Sequence, residues 1–167
     1  GSYSHIRIPL IKLDWHPASE EFTINQNPIA IMDTTLGMMK LILYPDSEAF
    51  VCGSERVSFR GFNDRVNWLI SGLHALGIQK RDVIGILSWN QLEYPEVFGA
   101  AMKGGFVLAH FSPRLKPGEL VQLISDAEPR ALFVGPELVE AIDEIHSQLP
   151  KPESFLVFDG AVGRMIT

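Results

Sequence analysis

The stretch from Asp82 to Arg130 constrains the fold of this chain more than any other. It holds two apolar runs typical of strands, Val83–Leu87 and Phe106–Ala109, separated by a segment long enough for a helix. Two strands joined in this way are predicted to lie parallel, because a long connection can return the chain to the same end of the sheet. Ligands bind at the carboxyl ends of such strands. We therefore expect the loops at residues 88–90 and 110–114 to share one crevice.

Strands and helices alternate through the rest of the chain. The pattern predicts a hairpin over Glu48–Ser58, strands at Ala131–Val134 and Ser154–Phe158, and helices that open at Pro117 and Pro136. The connecting helix of the central stretch is predicted to start at Tyr94, with Pro95 in its first turn. This alternation is typical of a doubly wound, three-layer α/β domain with a mostly parallel sheet.

A second helix follows the hairpin, where the apolar period changes from two residues to about 3.6. Ser58 is placed to cap its start and Gly77 to end it. Its predicted buried stripe consists of Phe62, Val66, Leu69, Leu73 and Leu76.

The amino-terminal part has no sustained period. Residues 1–28 are predicted to form an extended arm, with Gly1-Ser2 left from a removed tag and Trp15 and Phe22 as anchors. Residues 29–167 are predicted to form the α/β unit. Its first helix is expected to carry Thr34-Thr35 as caps and to place one apolar face in the core, namely Leu36, Met38, Met39 and Leu43.

Composition limits the possible functions. The 167 residues carry 14 Lys and Arg against 20 Asp and Glu, a formal charge of −6, and no basic block. Nucleic-acid binding requires a positive surface, so we do not expect a nucleic-acid partner. The single cysteine, Cys52, cannot form an internal disulfide, and no run is long enough for a membrane span. We expect a cytoplasmic protein.

No complete active site is visible in the chain. The five histidines are dispersed, and neither a metal-ligand spacing nor a nucleophile motif occurs. The glycine patterns that hold phosphates after a strand are also missing. We therefore expect no catalytic residue and no metal ligand here. The candidate binding residues lie in the two central loops, where Arg114 is well placed for a fork-like contact to phosphate.

Several segments, taken in order, resemble one protein family. They are Val57-Ser58-Phe59, then Gly85-Ile86-Leu87-Ser88-Trp89-Asn90, then Ala100-Ala101-Met102-Lys103-Gly104-Gly105, then Ser112-Pro113-Arg114-Leu115 and Ala127-Glu128-Pro129. The ordered series is more specific than any member. From about Thr35 to Phe158 the chain resembles the amino-terminal part of acyl-CoA synthetases of the adenylate-forming, AMP-binding superfamily, and most of all the fatty-acid–CoA ligases.

The resemblance implies a two-step enzyme that uses ATP, Mg²⁺ and coenzyme A to activate a fatty acid or another carboxylic acid. In such enzymes the phosphate loop and the mobile carboxy-terminal domain lie downstream of the segment matched here. We therefore expect this chain to be an incomplete unit that works with the remainder of its parent protein, that is inactive alone, and that holds no bound cofactor.

The resemblance also implies roles for individual residues. Arg114, with Ser112 and Pro113, would lie on the coenzyme A side, and Ser112 stands where the family often has asparagine. Trp89, Asn90 and His110 would help to wall the acyl or pantetheine channel. Ordinary roles stay open: Arg114 as a solvent-facing or ion-paired residue, and Trp89 and His110 as packing residues.

Two other classes of function also stay open. The chain could be a dimerisation or binding module, because the arm resembles segments that contribute to homodimer interfaces in some of these ligases. It could also be a small non-catalytic α/β binding protein whose likeness to the ligases is remote.

Overall fold

The computed structural model describes residues 10–13, 22–23, 34–52, 55–89, 93–150 and 154–158. Within these residues the chain forms two compact units. The first, called the sheet unit, contains residues 82–89 and 107–158 together with the strand at 10–13. The second, called the helix–hairpin unit, contains residues 34–81 and 93–106 together with the strand at 22–23.

The elements of the two units alternate along the chain. In order they are β1 (Leu10–Leu13), β2 (Phe22–Thr23), α1 (Thr34–Leu43), β3 (Glu48–Cys52), β4 (Glu55–Ser58), α2 (Phe59–Ala75), β5 (Val83–Leu87), α3 (Glu93–Gly104), β6 (Val107–Phe111), α4 (Pro117–Ala127), β7 (Ala131–Val134), α5 (Val139–Ile145) and β8 (Ser154–Phe158).

The sheet unit is built on a parallel sheet. Among the described residues, five strands pair in the order β1-β8-β7-β5-β6, and every pairing is parallel. All residues of β7 and β8 are buried, although successive side chains point to opposite faces. Continuous apolar runs of this kind are typical of parallel sheets covered on both faces. The predicted mixed α/β fold with a largely parallel sheet and a hairpin is confirmed.

The sequence placed the second central strand slightly too early. We predicted Phe106–Ala109, whereas β6 runs from Val107 to Phe111. The backbone N–H of Phe106 is used to end α3, since it donates to the carbonyl oxygen of Ala101 at 3.0 Å. At the other end, pairing with β5 continues to Leu87 opposite Phe111. His110 and Phe111 therefore belong to the strand and not to the loop.

Helices α4 and α5 supply the core of the sheet unit. Pro117 occupies the first turn of α4 as predicted, and the Glu119 carboxylate accepts from the backbone N–H of Lys116 at 2.8 Å. The chain from Pro136 begins with a short 3-10 turn and becomes α-helical only at Val139. Apolar side chains of both helices pack with those of the strands; they include Leu120, Ile124, Ile142, Ile145, Phe111, Leu132 and Phe155.

At the amino edge of this sheet, Arg130 directly precedes β7 and bonds the first residues of β5 and β8. Its backbone N–H donates to Val83 at 2.9 Å, and its carbonyl accepts from Ser154 at 3.2 Å. Its guanidinium forms an ion pair with Asp82. This edge is held by structural contacts, and parallel sheets bind their ligands at the opposite, carboxyl edge.

The helix–hairpin unit follows the predicted pattern closely. Strands β3 and β4 form the antiparallel hairpin, and β2 pairs with β3. The Ser58 hydroxyl caps α2 by accepting from the backbone N–H of Gly61 at 3.1 Å. Gly77 adopts a positive φ of 84° just after the helix, the conformation that favours glycine. Val66, Leu69 and Leu73 are buried as predicted.

The prediction for α1 was wrong in part. Thr34 and Thr35 are its first helical residues, not caps outside it. Of the predicted apolar face, Met39 is 50% and Leu43 is 60% exposed, so these two side chains do not fill the core. The reason is that the apolar residues of α1 are spread over most of its circumference and are not confined to one stripe, and Leu41 packs against the cluster of Ala49, Phe50, Val57 and Phe59.

Helix α3 starts at Glu93, one residue before the predicted Tyr94, and Pro95 lies in its first turn. Glu96 on this helix is fully buried, and Oε1 of its carboxylate lies 3.4 Å from Nη1 of Arg65 on α2. A buried carboxylate requires such a partner because desolvation disfavours its charge.

Several predictions fall on residues outside the described ranges. These are Trp15, most of the arm, the turn at Gly53-Ser54 and the boundary between residues 28 and 29. No helix in the described part of the chain combines the length and the apolar character needed to cross a bilayer.

Candidate functional site

Three parallel strands end side by side at the carboxyl edge of the sheet unit. Leu87, the last residue of β5, lies opposite Phe111 of β6 on one side and opposite Val134 of β7 on the other. The loops that leave β5, β6 and β7 therefore start as neighbours. This is the edge at which parallel sheets bind ligands, as the strand pattern predicted.

The loop after β6 is a tight turn built by a serine and a proline. The backbone N–H of Leu115 donates to the carbonyl oxygen of Ser112 at 3.2 Å, and Pro113 occupies the second position of this turn. The Ser112 hydroxyl accepts from the backbone N–H of Arg114 at 3.3 Å. Leu115 then packs against the core, so the turn is held at both ends while Arg114 stays exposed.

The loop after β5 begins with a buried serine and an exposed tryptophan. Ser88 is 5% exposed, and its hydroxyl donates to the carbonyl oxygen of Trp89 at 2.9 Å. The Trp89 side chain is 43% exposed, an unusual position for so large an apolar surface. Asn90 lies outside the described residues.

The two loops meet through their exposed side chains. The guanidinium carbon of Arg114 lies 5.9 Å from the centroid of the Trp89 ring. At this distance a cation is attracted by the electron-rich face of the aromatic ring. The structure thus brings together two residues that the sequence singled out on separate loops.

The loop after β7 contributes Gly135, which the sequence did not single out. The backbone N–H of Gly135 donates to the carbonyl oxygen of Leu87 at 2.8 Å, which ties the ends of β5 and β7 together. A Cβ at Gly135 would lie 3.2 Å from the Ser88 hydroxyl and 2.7 Å from Oε1 of Glu137. The Gly-Pro pair after an apolar strand was the available signal, but it indicated only a turn.

His110 lies in β6, opposite Ile86 and two residues before the turn that starts at Ser112. Burial lowers the pKa of its imidazole below the usual value. The side chain is therefore mostly neutral at pH 7 and can hydrogen-bond but carries little charge.

A positive charge stacked on an aromatic face is suited to binding an anion that carries a planar group. Arginine offers parallel N–H donors to phosphate oxygens, and the ring offers a surface for stacking. The described part of the chain brings no three His, Cys, Asp or Glu side chains together in an arrangement that could hold a metal ion.

Comparisons with known proteins point to one family. A family model described as AMP-binding enzyme matches residues 43–164. An acyl-CoA ligase, sidI of Aspergillus fumigatus, is 30% identical over 159 residues, which is 90% of this chain and 26% of that protein. A long-chain-fatty-acid–CoA ligase of Thermus thermophilus is 30% identical over 104 residues, 62% of this chain and 19% of that protein.

A solved structure shows the same fold. A fatty acyl CoA synthetase of Mycobacterium tuberculosis superposes with a TM-score of 0.65 at 24% identity, over 74% of this chain and 26% of that one. The chain thus spans about a quarter or less of the relatives named here. Because the family match covers most of the sequence, the chain belongs to the AMP-binding enzyme family.

Proposed function

We propose that this chain is the amino-terminal part of an ATP-dependent acid–CoA ligase whose substrate is a fatty acid or another carboxylic acid. The observation that carries the proposal is the family match over residues 43–164. The names of the relatives support it, since the Aspergillus protein is called an acyl-CoA ligase and the Thermus protein a long-chain-fatty-acid–CoA ligase.

The proposed reaction has two steps. A carboxylate oxygen of the acid attacks the α-phosphorus of ATP, an O–P bond forms, and pyrophosphate leaves. The thiol of coenzyme A then attacks the carbonyl carbon, a C–S bond forms, AMP leaves, and the thiol proton is released. The first step supplies a good leaving group for the second, and Mg²⁺ would offset phosphate charge when bound.

In this reaction the chain's own contribution is proposed to be binding on the coenzyme A side. The fixed charge of Arg114 would meet the nucleotide phosphates of coenzyme A, and the Trp89 face beneath it would limit where that charge can move. Ser112 and Pro113 would present Arg114 from the turn after β6. Asn90 and His110 would add to the wall of the acyl or pantetheine channel.

The chain alone is proposed not to catalyse the reaction, because the glycine patterns that hold phosphates after a strand are missing from its sequence. Its main partner would be the remainder of the parent protein. The cytoplasmic location predicted from composition stays a prediction.

A thioesterification assay tests the proposal. The full-length parent is incubated with ATP, Mg²⁺, coenzyme A and a panel of short-, medium- and long-chain fatty acids and aromatic acids. We expect acyl-CoA, AMP and pyrophosphate to appear in equal amounts with at least one acid. Hydrolysis of ATP to ADP, or silence across the whole panel, would contradict the ligase assignment.

The alternative of a dimerisation module is favoured by one observation. Ile42 and Leu43 at the end of α1 are 72% and 60% exposed, a degree of apolar exposure that often marks an interface. If the panel is silent and light scattering gives the mass of a homodimer, the module is the better description. A monomer that forms acyl-CoA would contradict it.

A further inference from the structure

Each of the two site loops contains a serine whose hydroxyl bonds the backbone of the residue that supplies a site side chain. In the loop after β6, Ser112 bonds the N–H of Arg114 at 3.3 Å. In the loop after β5, Ser88 bonds the carbonyl of Trp89 at 2.9 Å. Neither hydroxyl is needed for the parallel sheet itself, which is held by backbone pairing up to Leu87 and Phe111.

Ser112 fixes the direction in which Arg114 leaves the chain. A side-chain oxygen that accepts from the N–H two residues later closes a small ring and restrains the backbone between them. Without it, the turn would keep the single backbone bond from Leu115 to Ser112. Asparagine can supply the same acceptor, because its side-chain oxygen also reaches the backbone two residues on.

Ser88 lies beside Gly135, the residue that follows the neighbouring strand β7. It is 5% exposed, so its hydroxyl must find a partner within the protein. Gly135 lies against it: a Cβ there would be 3.2 Å from Oγ, a contact tighter than most. Gly135 is itself tied to Leu87 at 2.8 Å, so the lack of a side chain at residue 135 leaves room for the Ser88 hydroxyl beside the paired ends of β5 and β7.

We propose that Ser88 and Ser112 are positioning residues, which hold Trp89 and Arg114 in the stacked arrangement that binds coenzyme A. The proposal rests on the coenzyme A role given above for the same edge. The stack spans 5.9 Å, close to the limit of about 6 Å within which a cation and a ring attract each other. A small change in either loop backbone would separate the pair, so two local hydrogen bonds determine whether it forms.

Kinetics of the full-length parent provide the first test. Ser88→Ala and Ser112→Ala are each expected to raise the KM for coenzyme A about three- to tenfold, the effect of losing one hydrogen bond. The rate of acyl-adenylate formation should not change. Ser112→Asn should restore the KM, because asparagine supplies the acceptor. The matched control is Ser71→Ala, since Ser71 is exposed on α2 and its hydroxyl donates to the carbonyl oxygen of Asn67 in the same helix.

The same substitutions in an Arg114→Ala background separate positioning from general damage. If the serines act through the pair, they should cause no further rise in KM once the guanidinium is gone. A full additional rise in that background would overturn the proposal. So would an unchanged KM in both serine variants when Arg114→Ala raises it, and in that case the coenzyme A role would stand.

A second measurement does not depend on coenzyme A. Iodide is an anion, so the charge of Arg114 should increase quenching of Trp89 fluorescence, which is isolated by subtracting the signal of Trp89→Phe. We expect Ser112→Ala and Ser88→Ala to reduce iodide quenching toward the level of Arg114→Ala, with quenching by neutral acrylamide unchanged. Wild-type iodide quenching in both serine variants would overturn the positioning role. If Arg114→Ala leaves the KM unchanged but the quenching falls as expected, the coenzyme A assignment is wrong and the positioning role stands.

Discussion

Gly85 of β5 lies so close to the side chain of Phe111 of β6 that a larger residue at position 85 would collide with it. A Cβ at Gly85 would lie 2.7 Å from Cε2 of Phe111, and also 2.8 Å from Cδ1 of Leu132. Phe111 is 6% exposed and Leu132 fully buried, so neither ring nor methyl can move into solvent. The absence of a side chain at this position of β5 is therefore a packing requirement.

We predict that Gly85→Ala destabilises the chain by about 1–3 kcal/mol, the usual cost of overpacking a core. Urea unfolding followed by circular dichroism measures the change. The control is Gly118→Ala in α4, where a Cβ meets nothing within 4 Å. That substitution should be neutral or stabilise the chain by about 0.4–1 kcal/mol, because alanine restricts the unfolded state and favours helix. Equal midpoints for the two variants would contradict the packing.

The buried ion pair of the helix–hairpin unit gives a second prediction. Arg65→Met removes an ion-pair partner that lies 3.4 Å from the fully buried Glu96, and we expect a loss of about 3 kcal/mol in the free energy of unfolding. Adding Glu96→Leu to that variant should recover much of the loss, because the buried charge is then gone.

The control for this pair is another arginine on the same helix. Arg60 forms its ion pair with Asp46 in solvent, with 58% and 80% of the two side chains exposed. Arg60→Ala should change the unfolding midpoint little, since water screens exposed pairs. An effect of Arg65→Met no larger than that of Arg60→Ala would show that Glu96 does not depend on Arg65.

The lowered pKa of His110 predicts how the stability of the chain depends on pH. Burial lowers the pKa of the imidazole in the folded chain, so the unfolded chain binds the proton more readily. Stability should therefore be highest above the unfolded pKa of about 6.5 and should fall as pH drops through it toward the folded value.

His110→Asn removes this contribution. Compared with the unsubstituted chain, its unfolding midpoint should fall less between pH 8 and pH 5, because the variant lacks the imidazole whose protonation favours unfolding. Unfolding curves at four or five pH values measure the slope. Parallel pH profiles for the two chains would contradict the assignment to His110.

Much of the fold could be read from the order of residues because local signals agreed with the global structure. The bounds of β5, β7 and β8 are those predicted, since each apolar run is enclosed by turn-forming or charged residues. The end of β6 was missed because it is set by pairing with Leu87 and not by a local signal. Met39 and Leu43 were misplaced because the apolar residues of α1 are spread over most of its circumference, which does not reveal which face will be covered.

The position of the candidate site could be predicted from the sequence, but its detailed geometry could not. Parallel strands require that the loops bearing Trp89 and Arg114 leave the same edge, so their meeting followed from the strand pattern. The stacking distance and the two serine hydrogen bonds depend on side-chain rotamers, which periodicity does not report. Gly135 was missed because its role arises from β7 lying beside β5, a neighbour relation that chain order alone does not give.

The central claim is that Arg114 binds coenzyme A. It is tested most directly by measuring the two half-reactions of the full-length parent that carries Arg114→Ala. Acid-dependent exchange of pyrophosphate into ATP reports adenylate formation, and thioester formation at varied coenzyme A reports the second step. Arg60→Ala, which alters an exposed arginine of the other unit, is the control. We predict unchanged exchange and a KM for coenzyme A raised about tenfold or more, the loss expected for a hydrogen bond to a charged group. A defect confined to pyrophosphate exchange, with the KM for coenzyme A unaltered, would contradict this account.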